Sequence, residues 1–217
     1  MTLAIFDLDH TLLDGDSDYL WGEYMVENRI VEEKAYRQRN QVFFEEYQRG
    51  ELDNESYLEF SLEPLTRHTI EELHAWREDY VQTWIKPIVA PGAWSLLKQH
   101  REQAHELLII SATNRFITEP IAALLEVPAL LSTEPEIVNN RYTGRYLGTP
   151  TYREGKVTAL REWLGSSGHD LADSYFYSDS INDLALLEQV ENPVVAHPDD
   201  ELRAIAVERG WRIIDLK

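Results

Sequence analysis

The run Leu3-Ala4-Ile5-Phe6 ends abruptly in Asp7-Leu8-Asp9, and this junction constrains the fold more than any other feature of the chain. Consecutive apolar residues with no polar alternate read as a strand buried on both faces, as in parallel sheets covered by helices. The carboxylates that follow leave the sheet at the strand's carboxyl end. Two further junctions repeat the form: Leu107–Ile110 ends in Ser111-Ala112-Thr113, and Tyr175–Tyr177 ends in Ser178-Asp179. Helical stretches are read at Trp94–Gln103, at Pro120–Leu125 and after Gly155-Lys156, with short strands at Val194-Val195 and Ile213-Ile214. Strands alternating with helices predict an α/β fold, a doubly wound parallel sheet. Leu130–Leu147, which contains Asn139-Asn140 and Thr143-Gly144, reads as a β-excursion with a turn. Ligands in such sheets bind outside the carboxyl ends of the strands, so Asp7, Ser111 and Asp179 are expected to share one crevice.

Residues 15–86 change character. They are rich in Glu, Tyr, Arg and Gln, with Trp21, Tyr24 and Met25 at helical spacing, and read as several amphipathic helices inserted after the first strand. Lys86-Pro87 and Pro91-Gly92 mark the return to the sheet. The expected division is a core of 1–14 and 87–217 with a helical cap of 15–86. A chain of 217 residues, 43% hydrophobic, is long enough for one such core and a small accessory unit. It has no cysteine, which excludes disulfides, zinc–thiolate sites and thiol nucleophiles. Acids interrupt the first apolar run, so it reads as a strand and not as a signal peptide. No stretch approaches the roughly 18 apolar residues that cross a bilayer. These features predict a soluble, cytoplasmic protein. The net charge of −19 disfavours nucleic acid as a partner and leaves a homo-oligomer open. It also means that any anionic substrate needs local cations.

Taken singly, acids after a strand are solvated turn residues or helix caps as often as they are catalytic. In Ile5-Phe6-Asp7-Leu8-Asp9-His10-Thr11, however, Asp7 leaves the strand as an exposed nucleophile, and Asp9, two residues on, can give a proton to a leaving oxygen and later activate water. A carboxylate attacking a phosphate dianion needs a metal between them. The segment resembles the first motif of the haloacid dehalogenase superfamily, a strand ending in Asp-x-Asp-x-Thr. Ser178-Asp179-Ser180-Ile181-Asn182-Asp183 is similar to the fourth motif, with Ser where glycine is usual. Ile109–Thr113 resembles the second motif, and Gly155-Lys156 the third. The resemblance implies a phosphatase working through an aspartyl-phosphate. Its Mg²⁺ site would draw on Asp7, Asp9 (through its carbonyl), Asp179 and Asp183. Ser111, Ala112, Thr113 and Lys156 would receive the phosphate. Catalysis would rest on Asp7, Asp9, Ser111 and Lys156.

The helical insertion looks like the cap of the phosphoserine phosphatase-like branch, which implies small phosphomonoesters as partners. Those enzymes place an acid after the first motif to bind the substrate amine; Asp16 fits, with Asp14 and Asp18 nearby. They also carry a cap Arg for the serine carboxylate, after a segment like Gly50-Glu51-Leu52-Asp53. Here that region reads Tyr57-Leu58-Glu59-Phe60-Ser61, and the cation is missing. An amine-bearing ester without a carboxylate fits better, and the resemblance points to histidinol phosphate. Asp16, Glu59, Tyr19, Trp21 and Asn182 are the candidate contacts for the rest of the substrate, and His10 is given no role. The alternatives are a phosphatase of phosphoserine or of another small or lipid head-group phosphomonoester, a phosphotransferase or mutase on the same fold, a non-catalytic scaffold and, disfavoured by the second Asp of the motif, a dehalogenase.

Overall fold

The computed structural model describes residues 2–217; Met1, part of the expected core, lies outside them. The chain runs β1 (Leu3–Phe6), α1 (Ser17–Glu27), α2 (Glu33–Gln48), α3 (Asn54–Leu62), α4 (Ile70–Tyr80), α5 (Pro91–Glu102), β2 (Glu106–Asn114), α6 (Arg115–Leu124), β3 (Ala129–Val138), β4 (Arg141–Leu147), α7 (Glu154–Ser167), β5 (Tyr175–Ser178), α8 (Leu184–Leu187), β6 (Asn192–Ala196), α9 (Asp200–Arg209) and β7 (Arg212–Ile214). The strands form one seven-stranded sheet in the order β4-β3-β2-β1-β5-β6-β7. All neighbours are parallel except β3 and β4. This is the expected α/β sheet, wound in both directions from β1.

Side chains alternate across the sheet even though both faces are buried. Ala4 and Phe6 of β1, Leu107 and Ile109 of β2, and Tyr177 of β5 enter one apolar cluster. Leu3, Ile5, Leu108, Ile110 and Phe176 enter the other. The period of two set by the pleat therefore sorts one continuous apolar run into two cores. The helices between β1 and β2 join the first cluster through Trp21, Tyr24, Met25, Leu62 and Tyr80, as their helical spacing implied. The two connections of this segment are stitched together by a Leu13–Val89 bridge and by Asp14 N–H donating to the Ile88 carbonyl at 2.7 Å. Among the described residues no helix is long and apolar enough to cross a membrane.

Two expectations need correction. The β-excursion begins later than expected, because Ala129–Leu131 pair in register with Leu108–Ile110 inside the main sheet. Only the second half of β3 turns outward with β4, around Asn139 and Asn140, both at positive φ as a tight hairpin turn requires. The helix expected from Pro120 starts at Arg115 and carries Pro120 inside it. Proline removes the N–H that would bond the carbonyl four residues back, which normally weakens or kinks a helix. Here that carbonyl belongs to Phe116, and Arg77 Nη1 of α4 donates to it at 2.9 Å, with the guanidinium 5.0 Å from the Phe116 ring. A missing local donor is replaced by one from the inserted helices.

Arg77→Ala should therefore lower stability by about 1–3 kcal/mol in urea unfolding, the cost of a buried carbonyl left without a donor. The loss should be smaller in a Pro120→Ala background, where residue 120 regains its own N–H. Equal losses in both backgrounds would refute the substitution of donors.

Candidate active site

β1 lies between β2 and β5, so the carboxyl ends of these three strands are adjacent, and Asp7 N–H bonds the Tyr177 carbonyl at 2.9 Å. Asp7, 7% exposed, accepts from Lys156 Nζ at 2.7 Å and from the Thr11 hydroxyl at 3.3 Å. The same Lys156 Nζ donates to Asp183 at 2.8 Å, and Ser178 Oγ donates to that carboxylate oxygen as well. The Thr11 hydroxyl also reaches Asp179 at 3.3 Å and so bridges the Asp7 and Asp179 carboxylates. Lys156 sits in the first turn of α7, 2% exposed. Its placement depends on Gly155, where a Cβ would stand 1.9 Å from the Pro150 carbonyl oxygen. Only glycine allows that approach.

The electrostatics follow from an excess of buried acid. Burial pushes the Asp7 carboxyl up to about 7, with Lys156 opposing and Asp183 and Asp9 reinforcing. Burial and then Asp7 raise Asp179 well above the carboxylate range. Burial works against the charge of Lys156, but Asp183 and Asp7 together hold its ammonium above the usual value. One ammonium thus faces the carboxylates of Asp7, Asp179 and Asp183. Hard oxygen donors short of positive charge suit a hard divalent cation such as Mg²⁺, which keeps much of its own water. The four acids do not gather as side chains, however: among the described residues no group of three or more acidic or imidazole side chains has the makings of a metal site. Asp183 is given to Lys156 and Ser178. Both oxygens of Asp9 are engaged, one by the Ser17 N–H at 2.6 Å and the other by the Thr113 hydroxyl at 2.9 Å. The donors left facing one another are the Asp7 and Asp179 carboxylates, which Thr11 bridges.

Ser111 falls inside β2, where the pairing with β3 slips between Ile110 and Asn114. Its Oγ accepts from Thr113 N–H at 3.1 Å, which leaves the hydroxyl proton free to donate. Ser111, Ala112 and Thr113 form one wall of a crevice that also exposes Asp7 and Asp9. The opposite walls come from the helices between β1 and β2: Tyr19, Phe43, Phe44, Tyr47 and Tyr57, with Asp16, Asp18, Asn40 and Asn54. The free space, counting its open mouth, is about 590 Å³. No lysine or arginine lines it among the described residues. Asp16 caps α1, accepting from the Asp18 and Tyr19 N–H groups, and burial with Asp9 lifts it to about 6. Burial lifts Asp18 further, to about 8, against a hydrogen bond from Tyr57.

Not every expected contact lies here. Glu59 is exposed and faces a separate surface groove with Arg39 and Arg67. It follows Tyr57 by two residues, about 200° around the helix, so the two cannot serve one pocket. Trp21 stands in the same relation to Tyr19 and is buried against Tyr24, Tyr80 and Phe116. Asn182 lies outside the crevice lining and accepts from Arg153 Nε at 3.0 Å. Asp14 is paired with Lys217 at the surface. Sequence reading missed Phe43, Phe44 and Tyr47, whose spacing of three and four along α2 signals one helix face. It also missed Arg153, which reaches from the start of α7 to both Asn182 and the Gly50 carbonyl.

The Asp18 environment gives a stability prediction. A carboxyl held at about 8 binds its proton more tightly folded than unfolded, where it titrates near 3.8. Its contribution is complete below the unfolded value and is lost as pH rises through about 8. Asp18→Asn abolishes that loss. The melting temperature of the variant should overtake that of the native chain as pH rises, by at least about 2 °C near pH 8. A gap that shrinks with rising pH would contradict this environment.

Comparison with known proteins identifies the family. The model of the haloacid dehalogenase-like hydrolase family matches residues 4–188. A histidinol-phosphatase of Neisseria meningitidis is 40% identical over 219 residues, 99% of each chain. A phosphoserine phosphatase of Mycobacterium tuberculosis is 28% identical, over 99% of this chain and 70% of its own. A protein of unknown function from Bordetella pertussis superposes with a TM-score of 0.94 at 44% identity, with full coverage of both chains. A substrate-bound phosphoserine phosphatase has the same fold, with a TM-score of 0.68 at 18% identity, over 94% of this chain and 89% of the other. The strand-end acids, the buried lysine and these likenesses make the chain a member of the haloacid dehalogenase-like hydrolase family.

Proposed function

We propose that the protein is a Mg²⁺-dependent phosphatase that hydrolyses a small amine-bearing phosphate monoester, histidinol phosphate being the ester that fits best. The observation that carries the reading is the crevice above Asp7: acids and aromatic faces line it, and among the described residues no cation does. An ammonium or imidazole finds partners there in Asp16, Asp18 and the aromatic rings. A substrate carboxylate finds no cation there, and burying its charge without one is unfavourable. This disfavours phosphoserine, although a phosphoserine phosphatase shares the fold.

In this reading residues 15–86 act as a cap over a core of 1–14 and 87–217, and the cap shields the reaction from bulk water. Asp7 attacks phosphorus, forming an acyl phosphate as the ester bond breaks, and Asp9 gives its proton to the departing alkoxide. Asp9 then takes a proton from water, which hydrolyses the acyl phosphate, frees inorganic phosphate and restores Asp7. The Ser111 hydroxyl and the Lys156 ammonium hold the phosphoryl oxygens. Bound by the Asp7 and Asp179 carboxylates and the Asp9 carbonyl, Mg²⁺ would neutralise charge between nucleophile and phosphate. The first N–H of α1 on Asp9 ties the proton donor to the cap.

Phosphate release should depend on added Mg²⁺ and stop in EDTA. The kcat/KM for histidinol phosphate should exceed that for phosphoserine by more than about tenfold, the penalty for one unpaired buried charge. Full activity in chelator would refute the metal, and a preference for phosphoserine would refute the reading of the cation-free crevice.

A further inference from the structure

Three of the four crevice acids are accounted for by local structure or by the phosphate chemistry. Asp7 is held by Lys156 and Thr11, Asp9 by Ser17 N–H and Thr113, and Asp16 by the two N–H groups it caps. Asp18 is different. It is 8% exposed, lines the crevice and, among the described residues, has only the Tyr57 hydroxyl as a partner for its carboxyl. An acid in the first turn of a helix often serves the exposed N–H groups there. In α1 Asp9 and Asp16 already take the N–H groups of residues 17 to 19, so Asp18 is not needed for that task. An acid withdrawn from water, with one neutral partner and no cation beside it among the described residues, gains from any ligand that brings it an N–H donor. The crevice around it carries the aromatic rings of Phe43 and Tyr57 and the Asn40 amide. Aromatic faces beside a buried carboxylate form a receptor for a flat or cationic group bearing N–H.

We propose that Asp18, supported by Tyr57, is a specificity-determining residue that accepts a second nitrogen donor from the leaving group, a ring N–H or a second ammonium, while Asp16 takes the first. The proposal rests on the reading of the protein as a phosphatase of amine-bearing esters and adds that the preferred ester carries two separated nitrogen functions. An ester with a single amine fills only the Asp16 end and leaves Asp18 without its partner.

The test compares two substrates in one preparation of Asp18→Asn, a change that keeps shape and the bond to Tyr57. One substrate is histidinol phosphate, with amine and imidazole; the other is 2-aminoethyl phosphate, with an amine alone. The kcat/KM ratio between them should fall by about ten- to a hundredfold in the variant, the worth of one hydrogen bond to a charged group. A folding defect or a purely structural role lowers both rates alike and leaves the ratio unchanged, which would overturn the proposal. Inhibition of the native enzyme gives a second reading without mutation. Histidinol should compete at least about tenfold more tightly than 2-aminopropanol, and equal inhibition would overturn the proposal. A native enzyme that prefers phosphoserine to both amine esters overturns the underlying reading as well. A native preference for the amine esters, with an unchanged ratio in the variant, removes only Asp18.

Discussion

Lys156 Nζ lies 2.7 Å from Asp7 and 2.8 Å from Asp183, with both acids and the lysine almost wholly withdrawn from water. An ammonium and two carboxylates are costly to bury, and the cost is offset only when geometry and further hydrogen bonds are good. Here Ser178 completes Asp183 and Thr11 completes Asp7. The triad joins β1, the start of α7 and the turn after β5, so three distant parts of the chain are fixed at one point. Because Lys156 serves two acids directly, its charge cannot fully compensate either of them, and it acts on Asp179 only weakly, across space. In the proposed function, that local shortage of positive charge is what a divalent cation would relieve. In the proposed function, a chain of net charge −19 would receive its anion only at the crevice floor, beside Lys156, with acidic walls above it.

The helical insertion is tied to this floor by polar contacts as well as by apolar packing. The Ser17 N–H rests on Asp9, Arg77 supplies the donor that Pro120 lacks, and Arg153 joins the Gly50 carbonyl to Asn182. Each contact links an inserted helix or its connection to a core element. Motion of α1 away from the sheet would cost Asp9 its bond from the Ser17 N–H and leave it held by the Thr113 hydroxyl alone.

The core of this arrangement was legible in the sequence because each element carried its own signal. Four apolar residues before Asp7, the aromatic run before Asp179 and the glycine before Lys156 are local features whose consequences are fixed by strand pleat and steric access. The crevice walls were legible only in part. Asp16 and Tyr19 follow the first motif closely, but Phe43, Tyr47 and Tyr57 reach the site through the packing of α2 and α3, which no local pattern specifies. Glu59 and Trp21 show the same limit from the other side. Each lies two residues from a true wall residue, and a helix turns such a pair to opposite faces. Pro120 was read as a helix start since proline favours that position, and its interior place depends on Arg77, some forty residues away in the chain.

The central claim is that Asp7, held by Lys156, takes the phosphoryl group onto its own carboxylate. Rapid acid quenching of the enzyme during turnover of a phosphate-labelled ester, followed by peptide mapping, tests it directly. The account predicts a label on the peptide containing Asp7 that hydroxylamine releases, as an acyl phosphate must. A label on Ser111 or another hydroxyl, or turnover with no covalent label on the chain, would contradict it.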